Sequence, residues 1–101
     1  MTMANANLKV VLKINARPDK LAEVRALLID LAAASRKEVG CTDYQVLQNG
    51  ADPCEFVAIE EWTGSASLDA HMTTPHVQAA FAKAPSVLAK NPERGVFSAI
   101  R

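Results

Sequence analysis

Leu8, Val10, Leu12 and Ile14 occupy every second position of the chain, with Lys9, Val11 and Lys13 between them. Such alternation lines one face of an extended segment, so Leu8–Asn15 predicts a first strand. After Arg17-Pro18 the period changes. Asp19 is placed to cap a helix, and Leu21, Val24, Leu27, Leu28, Leu31, Ala32 and Ser35 recur at three- and four-residue steps until Gly40 ends it. Residues 44–48 predict a short second strand, Asn49-Gly50-Ala51-Asp52-Pro53 a turn, and residues 56–62 a third strand that completes a hairpin. Ser65–Met72 predicts a short helix. Thr74-Pro75 opens another, with proline at its first position and Val77, Ala80, Phe81 and Ala84 along its apolar face. Pro85 and Pro92 interrupt the stretch beyond that face, and residues 95–100 predict a fourth strand.

The order βαββαβ predicts an α+β, ferredoxin-like fold, a four-stranded antiparallel sheet with helices on one face. In the third strand Phe56, Ala58 and Trp62 fall on one side and Val57 and Ile59 on the other, so both faces carry apolar groups. A second copy of the chain would cover the face that the helices leave open, which predicts a homodimer. With 101 residues the chain reads as a flexible segment, 1–7, and a single domain, 8–101.

Eleven basic and eleven acidic residues balance to a formal net charge of zero. That leaves no electrostatic footprint for nucleic acid or anionic lipid. No apolar run approaches the roughly 20 residues of a membrane span, and residues 1–7 lack the basic start and apolar core of a signal peptide. The expected location is the cytoplasm. Cys41 and Cys54 flank the hairpin, where they can lie near one another, but a reducing cytoplasm predicts free thiols that contribute packing.

Most side chains suited to chemistry fall between Tyr44 and His76. Glu60 inside an apolar strand needs a partner if buried, Trp62 ends that strand, and the following helix carries His71 back toward both. Structural roles compete with functional ones: a pinning hydrogen bond for Glu60, core packing for Trp62 and Phe81, and a strand end for Asn15. His76, after Thr74-Pro75, is expected exposed in the first helical turn, and Arg36, Lys37 and Glu38 read as a solvated face. His71, His76 and a carboxylate such as Glu60 superficially suggest a metal site. The histidines, however, are five residues apart and split by Thr74-Pro75, not at the i, i+4 spacing that aligns ligands on one helix, so no metal is expected.

Five pieces, in order, resemble the antibiotic biosynthesis monooxygenase family, including its quinol monooxygenase-like members. They are Ser35-Arg36-Lys37-Glu38-Val39-Gly40-Cys41, Tyr44, Phe56-Val57-x-x-Glu60-x-Trp62, Leu68-x-x-His71 and Thr74-Pro75-His76. The likeness covers nearly the whole chain. It implies a dimeric α+β barrel and an enzyme that oxygenates a small quinol-like or phenolic aromatic with molecular oxygen, without metal, flavin or haem. The family also includes autoinducer-processing isomerases and haem-degrading enzymes. Haem is disfavoured: of the asparagine, tryptophan and histidine used in related pockets, Asn15 fits, but the helical positions align with His71 and Phe81 and lack an axial histidine there.

Oxygenation without a cofactor needs a base near neutral pKa, donors for the developing phenolate and a dry pocket. His71 suits the base, Asn15 a donor to substrate oxygen, and Glu60 a partner that orients His71. Trp62, Tyr44, Phe56 and Phe81 suit the pocket wall. Two other classes remain open, an isomerase or lyase that moves a proton in a small hydroxyketone through His71, and a non-catalytic dimer that binds a small molecule. A phosphorylated hydroxyketone would also need a cationic clamp, and neither a Gly-rich loop nor a basic cluster lies near His71.

Overall fold

The computed structural model describes residues 7–100. The alternating segment forms β1 (Leu8–Asn15), which pairs antiparallel with both β3 (Glu55–Trp62) and β4 (Glu93–Ser98), while β2 (Cys41–Gln48) pairs antiparallel with β3. The sheet order is therefore β2-β3-β1-β4, the ferredoxin-like α+β arrangement. A one-turn 3-10 helix at Pro18–Lys20 leads into α1 (Leu21–Ser35), and α2 (Ser65–Met72) and α3 (Pro75–Val87) follow β3. Of the N-terminal segment expected to be flexible, 1–7, residues 1–6 lie outside the described residues, and Asn7 donates its side-chain N–H to Glu61 Oε2.

The two sheet faces differ as the alternation requires. Val10, Ile14, Phe56, Ala58, Glu60 and Trp62 are buried beneath the helices, against Val24, Leu28 and Ala32 of α1. Val11, Val57 and Ile59 share the opposite face and are only partly buried, with Leu47 and Phe97 about half exposed. Ion pairs Lys9–Glu61 and Lys13–Glu55 flank that apolar stripe at 3.2 and 3.9 Å.

Several boundaries differ from the sequence expectation for physical reasons. α1 stops at Ser35, before Gly40, and the chain turns through residues 36–39. Asp19 lies in the 3-10 turn and makes no capping bond; neither that turn nor α1 has a side-chain cap. α3 runs through Pro85 to Val87; proline loses its N–H bond and crowds the carbonyl four residues back, and the helix ends two residues later. Arg17 serves the carbonyls there, donating to Pro85 O and Leu88 O at 3.1 Å each. β2 begins three residues earlier than expected, with an irregular register between Cys41 and Asp43, and β4 begins at Glu93 and ends at Ser98.

The cysteines do not approach each other. Cys41 opens β2 opposite Trp62, whereas Cys54 immediately precedes β3. At about 3.3 Å per residue the hairpin separates them by roughly 25 Å, far beyond disulfide reach. Both are free thiols, and burial, with Glu38 and Glu60 nearby, pushes the Cys41 thiol up from its ordinary range. Among the described residues no helix is long and apolar enough to cross a membrane.

Gly40 makes the turn into β2 at φ +89°, where a Cβ would clash with Ser67 Cβ and meet Thr63 Oγ1 at 2.9 Å. Left-handed backbone costs a non-glycine residue about 1–2 kcal/mol even without a clash. Gly40→Ala is therefore expected to lower the melting temperature by at least about 4 °C in thermal unfolding. An unchanged temperature would show that the turn does not need glycine.

Candidate active site

The short link between β3 and α2 aims the site. Leu68 N–H donates to Gly64 O at 3.2 Å and Ser67 Oγ–H to the same oxygen at 3.0 Å, so α2 starts directly above the end of β3. Leu68 and His71, three residues apart, share the buried face of α2. The His71 ring consequently packs on Trp62, with ring centroids 4.4 Å apart and planes inclined by 38°. The chain then reverses. Thr74 caps α3, accepting from Val77 N at 3.4 Å while its hydroxyl donates to His71 O at 2.8 Å. His76, in the first turn of α3, thereby comes beside His71, with centroids 6.1 Å apart.

Glu38 meets both imidazoles. Its Oε2 lies 2.7 Å from His71 Nδ1 and 2.6 Å from His76 Nε2, and its side chain is only 14% exposed. An ionised carboxylate can only accept, so with Glu38 in that form each imidazole donates an N–H to its oxygen. This corrects the reading of Glu38 as part of a solvated face and of His76 as simply exposed. Unwinding of the chain after Ser35 turns Glu38 inward, and Arg36 is also engaged, its Nε donating to Tyr44 O at 3.0 Å.

The other nitrogen of His71, Nε2, faces Glu60 Oε1 at 3.7 Å, an electrostatic approach too long for a direct hydrogen bond. That carboxylate oxygen accepts from Trp62 Nε1–H at 3.0 Å. Glu60 is 4% exposed and sits opposite Tyr44 in the β2–β3 register. Burial pushes its carboxyl up from the usual range, against the opposing pull of the Trp62 N–H, His71, Arg94 and Tyr44. Burial first, and then the negative charge of Glu60, push the Tyr44 phenol far above its ordinary value, so it remains a neutral hydroxyl.

Beside this cluster lies a cavity of about 90 Å³ between the sheet and helices α1 and α3. Its walls are largely apolar, including Leu27, Leu31 and Ala80, with half-exposed Phe81 among them. Tyr44, Glu60, His71 and Arg94 supply its polar groups. The structure thus brings His71, Glu60, Tyr44 and Phe81 to one pocket and places Trp62 behind the His71 ring. Phe56 is buried at the opposite end of β3 and lines a different groove with Arg25 and Ile29. Asn15 follows inward-facing Ile14, so the alternation turns its side chain to the other sheet face, and it is absent from the pocket wall.

Glu38 and Arg94 are the two site groups that sequence reasoning did not single out. Arg94 stands opposite Leu12 in the register and so shares the inward face, a placement that depends on where β4 begins.

The sheet order, the helices on one face and a buried imidazole–carboxylate cluster beside an apolar pocket define a ferredoxin-like domain with an internal site. Residues 7–83 match the family described as antibiotic biosynthesis monooxygenase, and the chain belongs to that family. It is 33% identical over 84 residues to the uncharacterized protein sll1783 of Synechocystis sp. PCC 6803, covering 83% of this chain and 57% of that protein. It is 34% identical over 67 residues to Rv0793 of Mycobacterium tuberculosis, covering 66% of this chain and 65% of that protein. The chain thus spans less than two thirds of the length of these curated relatives. The solved structure of Rv0793 superimposes with a TM-score of 0.89 at 25% identity, covering 95% and 97% of the two chains. A conserved protein from Methanosarcina mazei Go1 gives 0.86 at 31% identity, covering 93% of each chain.

Proposed function

We propose that this domain is a cofactor-independent monooxygenase for a small quinol-like or phenolic aromatic, with His71 as the base. The observation that carries this reading is the position of His71. Its Nδ1–H is held 2.7 Å from Glu38, which leaves the lone pair on Nε2, the nitrogen on the Glu60 side. Family membership supports the same reaction class. Removal of a phenolic proton by His71 Nε2 makes the ring electron-rich enough to pass an electron to oxygen. The Tyr44 hydroxyl and the Arg94 guanidinium are available as donors to the phenolate, and the apolar walls exclude water. For a hydroquinone the atoms balance without an external reductant, since hydroquinone and dioxygen give a hydroxyquinone and water. One oxygen atom enters the ring, the other leaves as water with two of the substrate's hydrogens, and the substrate supplies all four electrons.

The decisive experiment is turnover of a panel of hydroquinones and phenols under labelled dioxygen and under anaerobic conditions. The expected result is incorporation of one labelled oxygen atom into the product, with the other released as water and no product formed without oxygen. Product formed without oxygen uptake would overturn the reading. Proton exchange into a hydroxyketone without oxygen consumption would instead assign His71 to an isomerase or lyase.

The functional unit in this reading is a homodimer that pairs the sheet faces bearing Val11, Val57, Ile59 and Phe97, since burial of that stripe is the favourable way to remove it from water. Sedimentation of the full chain is expected to show a dimer at micromolar concentration, and Ile59→Asp to shift it to monomer. A stable, folded wild-type monomer would contradict this. The two free thiols suit a reducing compartment such as the cytoplasm.

A further inference from the structure

We propose that Glu38 Oε2, His71 Nδ1 and His76 Nε2 form a binding site for a divalent transition ion of the zinc class. The three ligand atoms come from three separate parts of the chain, the turn after α1, the buried face of α2 and the first turn of α3. All lie within 4.8 Å of one another. Two imidazole nitrogens and one carboxylate oxygen suit zinc, cobalt, nickel or ferrous iron, whereas magnesium and calcium favour oxygen ligands throughout. The distances of 2.7 and 2.6 Å from Glu38 to the two nitrogens now accommodate shared protons. An ion would replace those protons. With metal–ligand lengths of about 2.0–2.2 Å, tetrahedral ligand atoms stand about 3.3–3.6 Å apart, so the carboxylate must withdraw by roughly 0.7 Å and the two imidazole nitrogens must close from their separation of up to 4.8 Å, by rotation of the side chains.

The surroundings favour the site as well. A metal-bound histidine is usually held through its second nitrogen by a carboxylate, and His71 Nε2 already faces Glu60 at 3.7 Å, with Glu60 fixed by Trp62. Glu38 and His76 lie outside the pocket wall, with side chains 14% and 27% exposed, so water can complete the coordination from the solvent side. The Thr74-Pro75 break, which in the sequence argued against a metal pair on one helix, is what folds His76 back beside His71. The carboxylate that completes the set is Glu38, not Glu60.

An ion on Nδ1 leaves the remaining imidazole proton on Nε2, so metal-bound His71 cannot take a substrate proton. This consequence rests on the role proposed for His71 above; the site itself does not. The test is titration of chelator-treated chain with zinc by calorimetry and with cobalt by visible absorption. One ion per chain is expected, with cobalt bands of low coordination number, and His76→Ala or Glu38→Gln should weaken binding by at least about tenfold while Cys41→Ser does not. Zinc should lower turnover along its binding curve. Absence of saturable binding, or binding unchanged in His76→Ala and Glu38→Gln, would overturn the site. Binding unchanged in His71→Ala would overturn Nδ1 as a ligand, whereas binding that is lost in His71→Ala but leaves wild-type turnover at its metal-free value would overturn His71 as the base and keep the site. A chain that binds zinc through these residues but oxygenates nothing keeps the site and fails the functional reading.

Discussion

His71→Ala is expected to lower turnover by about 10²–10⁴-fold, the usual contribution of a positioned base, while the chain remains folded and dimeric. The ring is 4% exposed and packs on Trp62, so its removal also costs stability, about 1–3 kcal/mol. The rate loss must therefore be read on protein shown to be folded. Glu38→Gln makes the separate point. Glu38 lies outside the pocket wall but holds His71 Nδ1, so its loss should fall on kcat and leave KM nearly unchanged. If His71→Ala loses less than about tenfold on a verified substrate, the base lies elsewhere, and Tyr44 and Glu60 become the groups to examine.

Trp62→Ala should be the most destabilising single change, at about 3–5 kcal/mol by denaturant unfolding. The indole is fully buried, stacks on His71 and donates to Glu60, so truncation opens a cavity and leaves a buried carboxyl without its donor. Against a typical total stability of about 5–15 kcal/mol, that loss is a large fraction. Trp62→Phe keeps an aromatic ring and removes the N–H together with the rest of the pyrrole ring, so it leaves a smaller cavity than alanine while still depriving Glu60 of its donor. Burial raises the Glu60 carboxyl above its unfolded value of about 4.3, so its protonated form favours folding. That contribution is fully present below the unfolded value and is lost as pH rises through the higher folded one. The Trp62 donor opposes the shift, so Trp62→Phe should show a steeper loss of melting temperature across this window. A profile parallel to the wild type would show that the indole N–H does not govern Glu60.

The fold was legible because its periods are clean. Leu8 to Ile14 alternate, Leu21 to Ser35 step by three and four, and the Gly-Ser and Thr-Pro junctions fall where α2 and α3 begin. The end of α1 was not legible, since residues 36–39 carry no periodic apolar signal and Val39 is 94% exposed. α3 continues through Pro85, and the carbonyls at its end are met by Arg17, about seventy residues away in the chain. Glu60, Trp62 and His71 were readable as a group because one strand–turn–helix unit holds them. Glu38 was not, because it reaches its histidines across 33 and 38 residues and only after the chain unwinds beyond Ser35. The outward direction of Asn15 was readable from the alternation, since it directly follows Ile14 on the same strand.

The most direct test of His71 as base is anaerobic binding of a phenol whose ionisation is visible by absorption, at a pH where the free phenol is neutral. Wild-type protein is expected to bind it as the phenolate and His71→Ala to bind it neutral. A neutral phenol bound to both, or a phenolate bound to both, would contradict it.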